Sequence, residues 1–182
     1  MRIVAGDWRG RALVAPPGQG TRPTADRVRQ ALFDMLLHAQ WGGREAIEGA
    51  VVLDVFAGTG ALGLEALSRG AASACFIEND TAALKALRAN VAACKAADRT
   101  EIFAADVFRV AKGNAASVVF LDPPYGQNLV PRAIGRLREA GRILPGGLIV
   151  AEVGREETWV PGEPLLAERQ HGVARVLIFR AA

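Results

Sequence analysis

The chain is 182 residues long, with 51% hydrophobic and 23% charged residues, which is the composition of a single globular domain. No apolar run approaches the roughly 20 residues of a membrane-spanning helix, and residues 1–4 lack the long apolar core of a signal peptide. We therefore expect a cytoplasmic protein without a membrane segment. Cys75 and Cys94 have no metal-ligand spacing and no neighbouring histidine, which predicts reduced thiols and no metal site.

Positive charge is concentrated at the amino end of the chain. Residues 1–44 carry seven arginines against three aspartates, although the formal net charge of the whole chain is only +3. Arg9 and Arg11 flank Gly10 beside Trp8, and this mixture of cations, an aromatic ring and a flexible residue suits a phosphate backbone. A solvated charged surface is the alternative interpretation.

The first predicted elements are a small hairpin and a helix. Residues 2–6 and 11–14 are typical of two short strands. Thr24 follows a proline and precedes apolar residues at helical spacing, so we expect it to be the N-cap of a helix over residues 25–38.

Three further arginines, Arg22, Arg27 and Arg29, lie in or just before the first turn of that helix. Cations at a helix N-terminus oppose the helix dipole. Their presence there makes sense if an anion binds at this end of the helix.

Strand-like and helix-like patterns alternate from residue 51 onward. The strands are predicted at 51–55, 73–77, 100–104, 117–121, 148–153, 163–169 and 174–180, and the helices at 60–69, 81–95 and 129–141. This alternation predicts an α/β fold: a doubly wound, mostly parallel, seven-stranded sheet that ends in an antiparallel hairpin. We expect residues 1–40 to form a basic extension and residues 41–182 the main domain.

A glycine-rich turn follows the first strand of this sheet. Gly58, Gly60 and Gly63 form a G-x-G-x-x-G motif directly after a strand and at the start of a helix, which favours a nucleotide-like cofactor. Asp54 at the strand end would repel the pyrophosphate of NAD or FAD, but it would attract a cation. S-adenosylmethionine carries an ammonium and a sulfonium and no phosphate, so it fits this turn better.

Two more acids follow the next two strands. Glu78 is placed to accept hydrogen bonds from ribose hydroxyls, and Asp106 from an adenine amino group, although Asp106 could equally be a helix cap. The predicted cofactor contacts are Asp54, Phe56, Ala57, Gly58, Gly60, Glu78, Asn79, Asp106 and Val107.

The predicted catalytic motif is Asp122-Pro123-Pro124-Tyr125, which ends the apolar strand 117–121. Two prolines after an acid give a rigid turn without backbone donors, so carboxylate and carbonyl oxygens can face a cleft. An acceptor-rich cluster beside an aromatic ring suits a base with an exocyclic amino group: adenine, cytosine or guanine. Asp122 and the Pro123 carbonyl would accept the amino hydrogens, and Tyr125 would stack on the base.

The chain resembles the bacterial 16S rRNA guanine-N2 methyltransferases over nearly its whole length. The segments 2–6, 8–11, 21–24, 26–29 and 31–33 carry the similarity to that family, whereas 54–60 and 122–125 are shared with class I amino-methyltransferases in general. The resemblance implies a Rossmann-like methyltransferase that transfers a methyl group from S-adenosylmethionine to the N2 of a guanine in 16S rRNA. Its product would be S-adenosylhomocysteine.

The resemblance also implies the partners of the protein. The substrate would be 16S rRNA in the 30S subunit or in one of its assembly intermediates. The residues expected to contact RNA are Arg9, Arg11, Arg22, Thr24, Arg27 and Arg29. We expect a monomer that needs neither a metal ion nor a membrane.

Three alternatives stay open from the residues themselves. A DNA or RNA adenine-N6 methyltransferase would use the same acceptor cluster, although 182 residues leave little room for a target-recognition region. A non-catalytic RNA-binding protein could retain the cofactor, but the intact motif around Asp122 argues against it. A nicotinamide dehydrogenase is disfavoured by Asp54 and by the lack of a proton-donor group.

Overall fold

The computed structural model describes residues 1–16 and 23–182. The strands are β1 (Val51–Val55), β2 (Ser73–Glu78), β3 (Thr100–Ala104), β4 (Ala116–Leu121), β5 (Ile143–Gly154), β6 (Leu165–His171) and β7 (Ala174–Arg180). The helices in the described ranges are α1 (Pro23–His38), α2 (Ala61–Ser68), α3 (Thr81–Ala93) and α4 (Leu129–Glu139), with short 3-10 helices at Arg44–Ala46, Ala97–Arg99 and Val107–Arg109. None of these helices is long and apolar enough to cross a bilayer.

The seven strands form one sheet in the order β3-β2-β1-β4-β5-β7-β6. The first five in this order are parallel, and β7 pairs antiparallel with both β5 and β6. The predicted α/β fold and its closing antiparallel hairpin are therefore confirmed. The strand order reverses between β1 and β4, and open α/β sheets bind ligands outside the carboxyl ends of their strands at such a point.

Helices cover both faces of the sheet. One apolar core joins α1, α2 and α3 to alternate residues of the strands, and Phe33 of α1 contacts Phe120 of β4 with ring centroids 5.7 Å apart. A second core, on the opposite face, joins α4 to the intervening strand residues. Because side chains alternate along a strand, successive buried apolar residues of β4 and β5 belong to the two cores in turn, as Phe120 and Leu121 do.

Two predictions about the amino-terminal segment were wrong in detail. The two expected strands reduce to one bridge between Arg2 and Ala12, because the backbone N–H groups of Val4 and Ala5 donate to the side chain of Glu65 instead of to a strand partner. The helix begins at Pro23, as is common for proline in a first turn, so Thr24 lies inside α1 and is not its N-cap.

A buried carboxylate holds the amino-terminal segment to the sheet. Glu65 of α2 is fully buried. Its Oε2 accepts from Val4 N–H at 2.8 Å and from Nε of Arg29 at 3.4 Å, and its Oε1 accepts from Ala5 N–H at 3.0 Å and from Nε of Arg69 at 2.8 Å. Residues 1–16 and α1 therefore pack as part of the main core. The division of the chain at residue 40 stays a prediction.

Candidate active site

A cavity of about 640 Å³ opens at the carboxyl ends of β1, β4 and β5. Leu32 of α1 and Val173, in the turn between β6 and β7, contribute to its walls. Of the predicted site residues, its lining includes Asp54, Phe56, Ala57, Gly58, Asp122 and Tyr125. In the part of the chain that the structure describes, Gly60, Glu78, Asn79, Asp106, Val107, Pro123 and Pro124 lie outside this lining.

Four acidic residues lie on the same face of the sheet, at the carboxyl ends of their strands. Asp54, Glu78, Asp122 and Glu152 each come two positions after an apolar residue of the core beneath α1, α2 and α3, namely Val52, Phe76, Phe120 and Val150. Because the side-chain period of a strand is two, the acids share the face of those residues. Glu152 was not among the predicted site residues, although this spacing was visible in the sequence.

Asp54 is hydrogen-bonded to the segment that contains the glycine-rich turn. Its side chain is buried, and its Oδ2 accepts the N–H of Gly63 in the first turn of α2 at 2.8 Å. Burial raises the pKa of Asp54 to about 8, the hydrogen bond from Gly63 opposes this, and the charges of Asp122 and Glu78 add to it. A cation bound in the cavity would favour the charged form of this carboxyl group.

The glycine-rich turn is built around backbone conformations that other residues rarely adopt. Phe56 lines the cavity with a φ of +59°, which is uncommon for a non-glycine residue and costs about 1–3 kcal/mol. Gly60 has a φ of +77°, and a Cβ there would lie 2.4 Å from Cδ1 of Leu87. The turn is thus held by its surroundings in one shape that exposes backbone beside the cavity.

Glu78 and Asp106 bind backbone groups at the neighbouring strand ends. Glu78 accepts from Gly58 N–H at 2.7 Å and from the N–H groups of Asn79 and Asp80 at 2.8 Å each. Asp106 accepts from Phe108 N–H at 3.0 Å and caps the 3-10 helix at Val107–Arg109, so the capping role left open above is observed. Contacts of Glu78 with a ribose and of Asp106 with an adenine stay predictions.

The loop after β4 is tied to the end of β5. The hydroxyl of Tyr125 donates to Oε1 of Glu152, and Oε1 of Glu157 accepts from the N–H groups of Gly126 at 2.8 Å and Gly154 at 3.2 Å. These bonds fix the position of the loop that carries Asp122. Glu152 and Glu157 were missed by the sequence analysis because nothing local links them to residues 122–126.

Asp122 lies in a negative environment. Desolvation by the cavity walls, followed by the nearby charge of Glu152, raises the pKa of Asp122 well above the usual range of an aspartate. Asp122 is exposed to solvent, so water screens part of this effect. Desolvation and a hydrogen bond to Glu152 likewise raise the pKa of Tyr125, which keeps its hydroxyl protonated as a donor.

The structure describes most of the residues that were expected to bind RNA. Arg9, Arg11 and Arg27 are exposed, and Arg11 donates to the Ala93 carbonyl. Arg22 and the side chain of Thr24 lie outside the described residues. The structure adds Arg99, whose guanidinium stacks on the ring of Trp8 at 5.1 Å and extends this basic surface.

The prediction that Arg29 contacts RNA is corrected by the structure. Arg29 is only 5% exposed. Its guanidinium pairs with Asp26 at 3.0 Å and with Glu65 at 3.4 Å, and it also donates to the carbonyl of Arg2. Because these internal acceptors occupy the guanidinium, Arg29 holds α1 to the core instead of facing a nucleic acid.

The strand order, the glycine turn and the acidic strand ends define a Rossmann-like methyltransferase. The family described as "Conserved hypothetical protein 95" matches residues 1–179, and the chain belongs to this family. It is 42% identical over 153 residues to ribosomal RNA small subunit methyltransferase D of Escherichia coli K12, covering 84% of this chain and 74% of the relative. The protein of the same name from Haemophilus influenzae is 34% identical over 187 residues, covering 99% and 93%.

Solved structures agree with the family assignment. A putative methyltransferase, yhhF from Escherichia coli, superposes with a TM-score of 0.83 at 37% identity, covering 100% of this chain and 97% of that chain. The putative methylase HI0767 from Haemophilus influenzae superposes with a TM-score of 0.80 at 31% identity, covering 99% and 97%. The resemblance given by the sequence is therefore confirmed at the level of family and fold.

Proposed function

We propose that this protein transfers a methyl group from S-adenosylmethionine to the exocyclic N2 of a guanine in 16S rRNA. The observation that carries the proposal is the position of Asp122 in the same cavity as the glycine-rich turn. The glycine-rich turn suits a methyl donor, and Asp122 suits the amino group that accepts the methyl. The proposal draws its substrate from the relatives named as ribosomal RNA small subunit methyltransferases.

The residues around the turn fit a cationic cofactor without phosphates. Asp54 and Asp122 place carboxyl groups in the cavity, and the guanidinium of Arg29, which also borders it, is already paired with acids. This leaves a negative site suited to an ammonium and a sulfonium. Asp54, Phe56, Ala57 and Gly58 would hold this group, which supplies an activated methyl when bound.

Asp122 and the Pro123 carbonyl make the target nitrogen nucleophilic. The lone pair of an exocyclic amine is delocalised into the ring, and accepting its two hydrogens out of the ring plane localises that lone pair. Tyr125 stacks on the base and holds it in this orientation. Positioning of two bound reactants in this way can contribute about 7–11 kcal/mol to lowering the barrier. An oxygen of Asp122 then takes the proton that the methylated nitrogen releases.

The exposed arginines supply the contacts to RNA. A guanine must leave its stack to enter the cavity, which costs a few kcal/mol, and phosphate contacts from Arg9, Arg11 and Arg27 offset this cost. We further propose that the substrate is the 30S subunit or an assembly intermediate, and that the protein acts as a monomer in the cytoplasm, where these particles are made.

The test is to incubate the protein with labelled S-adenosylmethionine and unmodified 30S subunits, deproteinised 16S rRNA or plasmid DNA. Digestion to nucleosides should give N2-methylguanosine from one of the RNA substrates. Asp122→Ala should abolish transfer and leave cofactor affinity within about tenfold, which is 1.4 kcal/mol, whereas Asp98→Ala, at an exposed aspartate on a short helix, should change neither. Label in adenine of DNA, or in no nucleic acid, would contradict the proposal.

A further inference from the structure

Glu152 is an acidic residue of the cavity that the proposed mechanism does not use. β4 and β5 run parallel with Leu121 paired to Ala151, so Asp122 and Glu152 follow side by side at the same edge of the sheet. Both residues line the cavity. The charge of Glu152 also acts on the pKa of Asp122, which agrees with this close placement.

The carboxylates of Asp122 and Glu152 have oxygens that accept no hydrogen bond from the described residues. Oε1 of Glu152 accepts from the Tyr125 hydroxyl, which fixes the orientation of the side chain. Over residues 1–16 and 23–182, Oε2 of Glu152 and both oxygens of Asp122 accept no hydrogen bond, whereas Asp54 and Glu78 accept from backbone N–H groups. Asp122 is exposed and Glu152 is half-buried, so water can occupy these acceptor positions in the empty cavity. A base that displaces this water must bring donors to both carboxylates, so the pair suits a ligand with adjacent donors.

Of the three bases with an exocyclic amino group, guanine is the one whose amino group lies next to a ring N–H donor. Its ring N1–H lies next to its N2 amino group, so both positions donate. Adenine and cytosine carry their amino group next to a ring nitrogen that only accepts. A second carboxylate beside Asp122 would oppose that ring nitrogen with another acceptor, which leaves buried polar groups unpaired.

We propose that Glu152 accepts the N1–H of the target guanine while Asp122 accepts from its N2 amino group, so that Glu152 determines the preference for guanine. This inference rests on the proposed function and names the residue behind its base specificity. Tyr125 contributes by holding Oε1 of Glu152, which leaves Oε2 for the base.

The base 2-aminopurine isolates this contact, because it keeps the amino group at C2 and has an N1 without hydrogen. We would measure the binding of guanosine and of 2-aminopurine riboside to the protein loaded with S-adenosylhomocysteine, by NMR titration. Glu152→Gln is the informative variant. The Tyr125 hydroxyl holds the amide oxygen, so the NH2 group faces the base where an acceptor stood. Glu156→Gln, an exposed residue outside the cavity lining, is the matched control.

The wild type and Glu156→Gln should bind guanosine about 10- to 100-fold more tightly than 2-aminopurine riboside, which corresponds to one hydrogen bond to a charged group. Glu152→Gln should lose this preference. Its kcat/KM on unmodified 30S subunits should fall by a similar factor with unchanged cofactor affinity.

A purely structural role for Glu152 would weaken both nucleosides alike and leave their order unchanged, and this result would overturn the inference. Equal binding of the two nucleosides by the wild type, or binding of neither, would also overturn it. The proposed function has a separate readout. If the wild type prefers guanosine but methylates no guanine in 30S subunits or rRNA, the proposed function fails and the base preference of the cavity stands.

Discussion

The buried carboxylate of Glu65 should be essential for attaching the amino-terminal segment and α1 to the sheet. Each of its oxygens accepts one backbone N–H and one guanidinium: Val4 and Arg29 at Oε2, and Ala5 and Arg69 at Oε1. Glu65→Gln keeps the shape of the side chain and replaces one oxygen with an NH2 group. In either orientation of the amide, one backbone N–H and one guanidinium lose their acceptor.

The expected loss of stability follows from these two unpaired groups. A buried donor without an acceptor costs about 1–3 kcal/mol, and breaking a buried ion pair costs about 3–5 kcal/mol. The two costs do not add in full, because Arg29 keeps its pair with Asp26 and Arg69 keeps its pair with Asp34. We therefore expect Glu65→Gln to lower the free energy of unfolding by about 3–5 kcal/mol, a large part of the roughly 5–15 kcal/mol of a typical domain. At about 2–4 °C per kcal/mol for a chain of this size, the Tm should fall by about 6–20 °C.

Urea and thermal denaturation followed by circular dichroism would measure this change. The control is Glu139→Gln, which removes a pair with Arg136 at 3.5 Å in which the glutamate side chain is 74% exposed. Exposed pairs contribute at most about 1 kcal/mol, so the control should unfold almost as the wild type does. If Glu65→Gln lowered the Tm no more than Glu139→Gln, the network around Glu65 would not be what holds the segment, and the reasoning would be refuted.

Three further predictions concern the site. Gly60→Ala should weaken cofactor binding measured by calorimetry, because its φ is +77° and its Cβ would lie 2.4 Å from a buried leucine side chain of α3, whereas Gly146→Ala, which has a φ of +74°, open space and a position outside the cavity lining, should bind normally. Replacing Arg9 and Arg11 by alanine should weaken RNA binding and flatten its salt dependence without affecting cofactor affinity, and an unchanged salt slope would exclude both from the RNA-binding surface. Asp122 must be ionised to accept from the amine, so kcat/KM should fall as the pH drops through its raised pKa; a profile flat down to pH about 4, the ordinary value of an aspartate, would contradict this.

The sheet could be predicted from the sequence because its signals are local. Alternating strand and helix patterns, glycines at the turn after β1 and apolar runs of strand length each need only neighbouring residues. The role of Arg29 could not be predicted in this way. Its partner Glu65 is 36 positions away, and only the folded chain brings the two together. Seen alone, an arginine in the first turn of a helix equally suits an external anion.

The position of Glu152 in the site could be predicted from the sequence only in part. Asp54 and Asp122 were identified because each precedes a recognisable motif, the glycine-rich turn in one case and Pro123-Pro124-Tyr125 in the other. Glu152 is, like Asp54, the penultimate residue of its predicted strand, but no such motif follows it. Its spacing from Val150 was enough to give its face of the sheet, since strand periodicity is a local property. Its pairing with Asp122 was not available locally, because it requires that β4 and β5 be neighbours in register from Leu121 and Ala151. Asp122, the acceptor for an amino group, can therefore be predicted from the sequence. Glu152, the second acceptor, which would select guanine, can be identified only once the order of the strands is known.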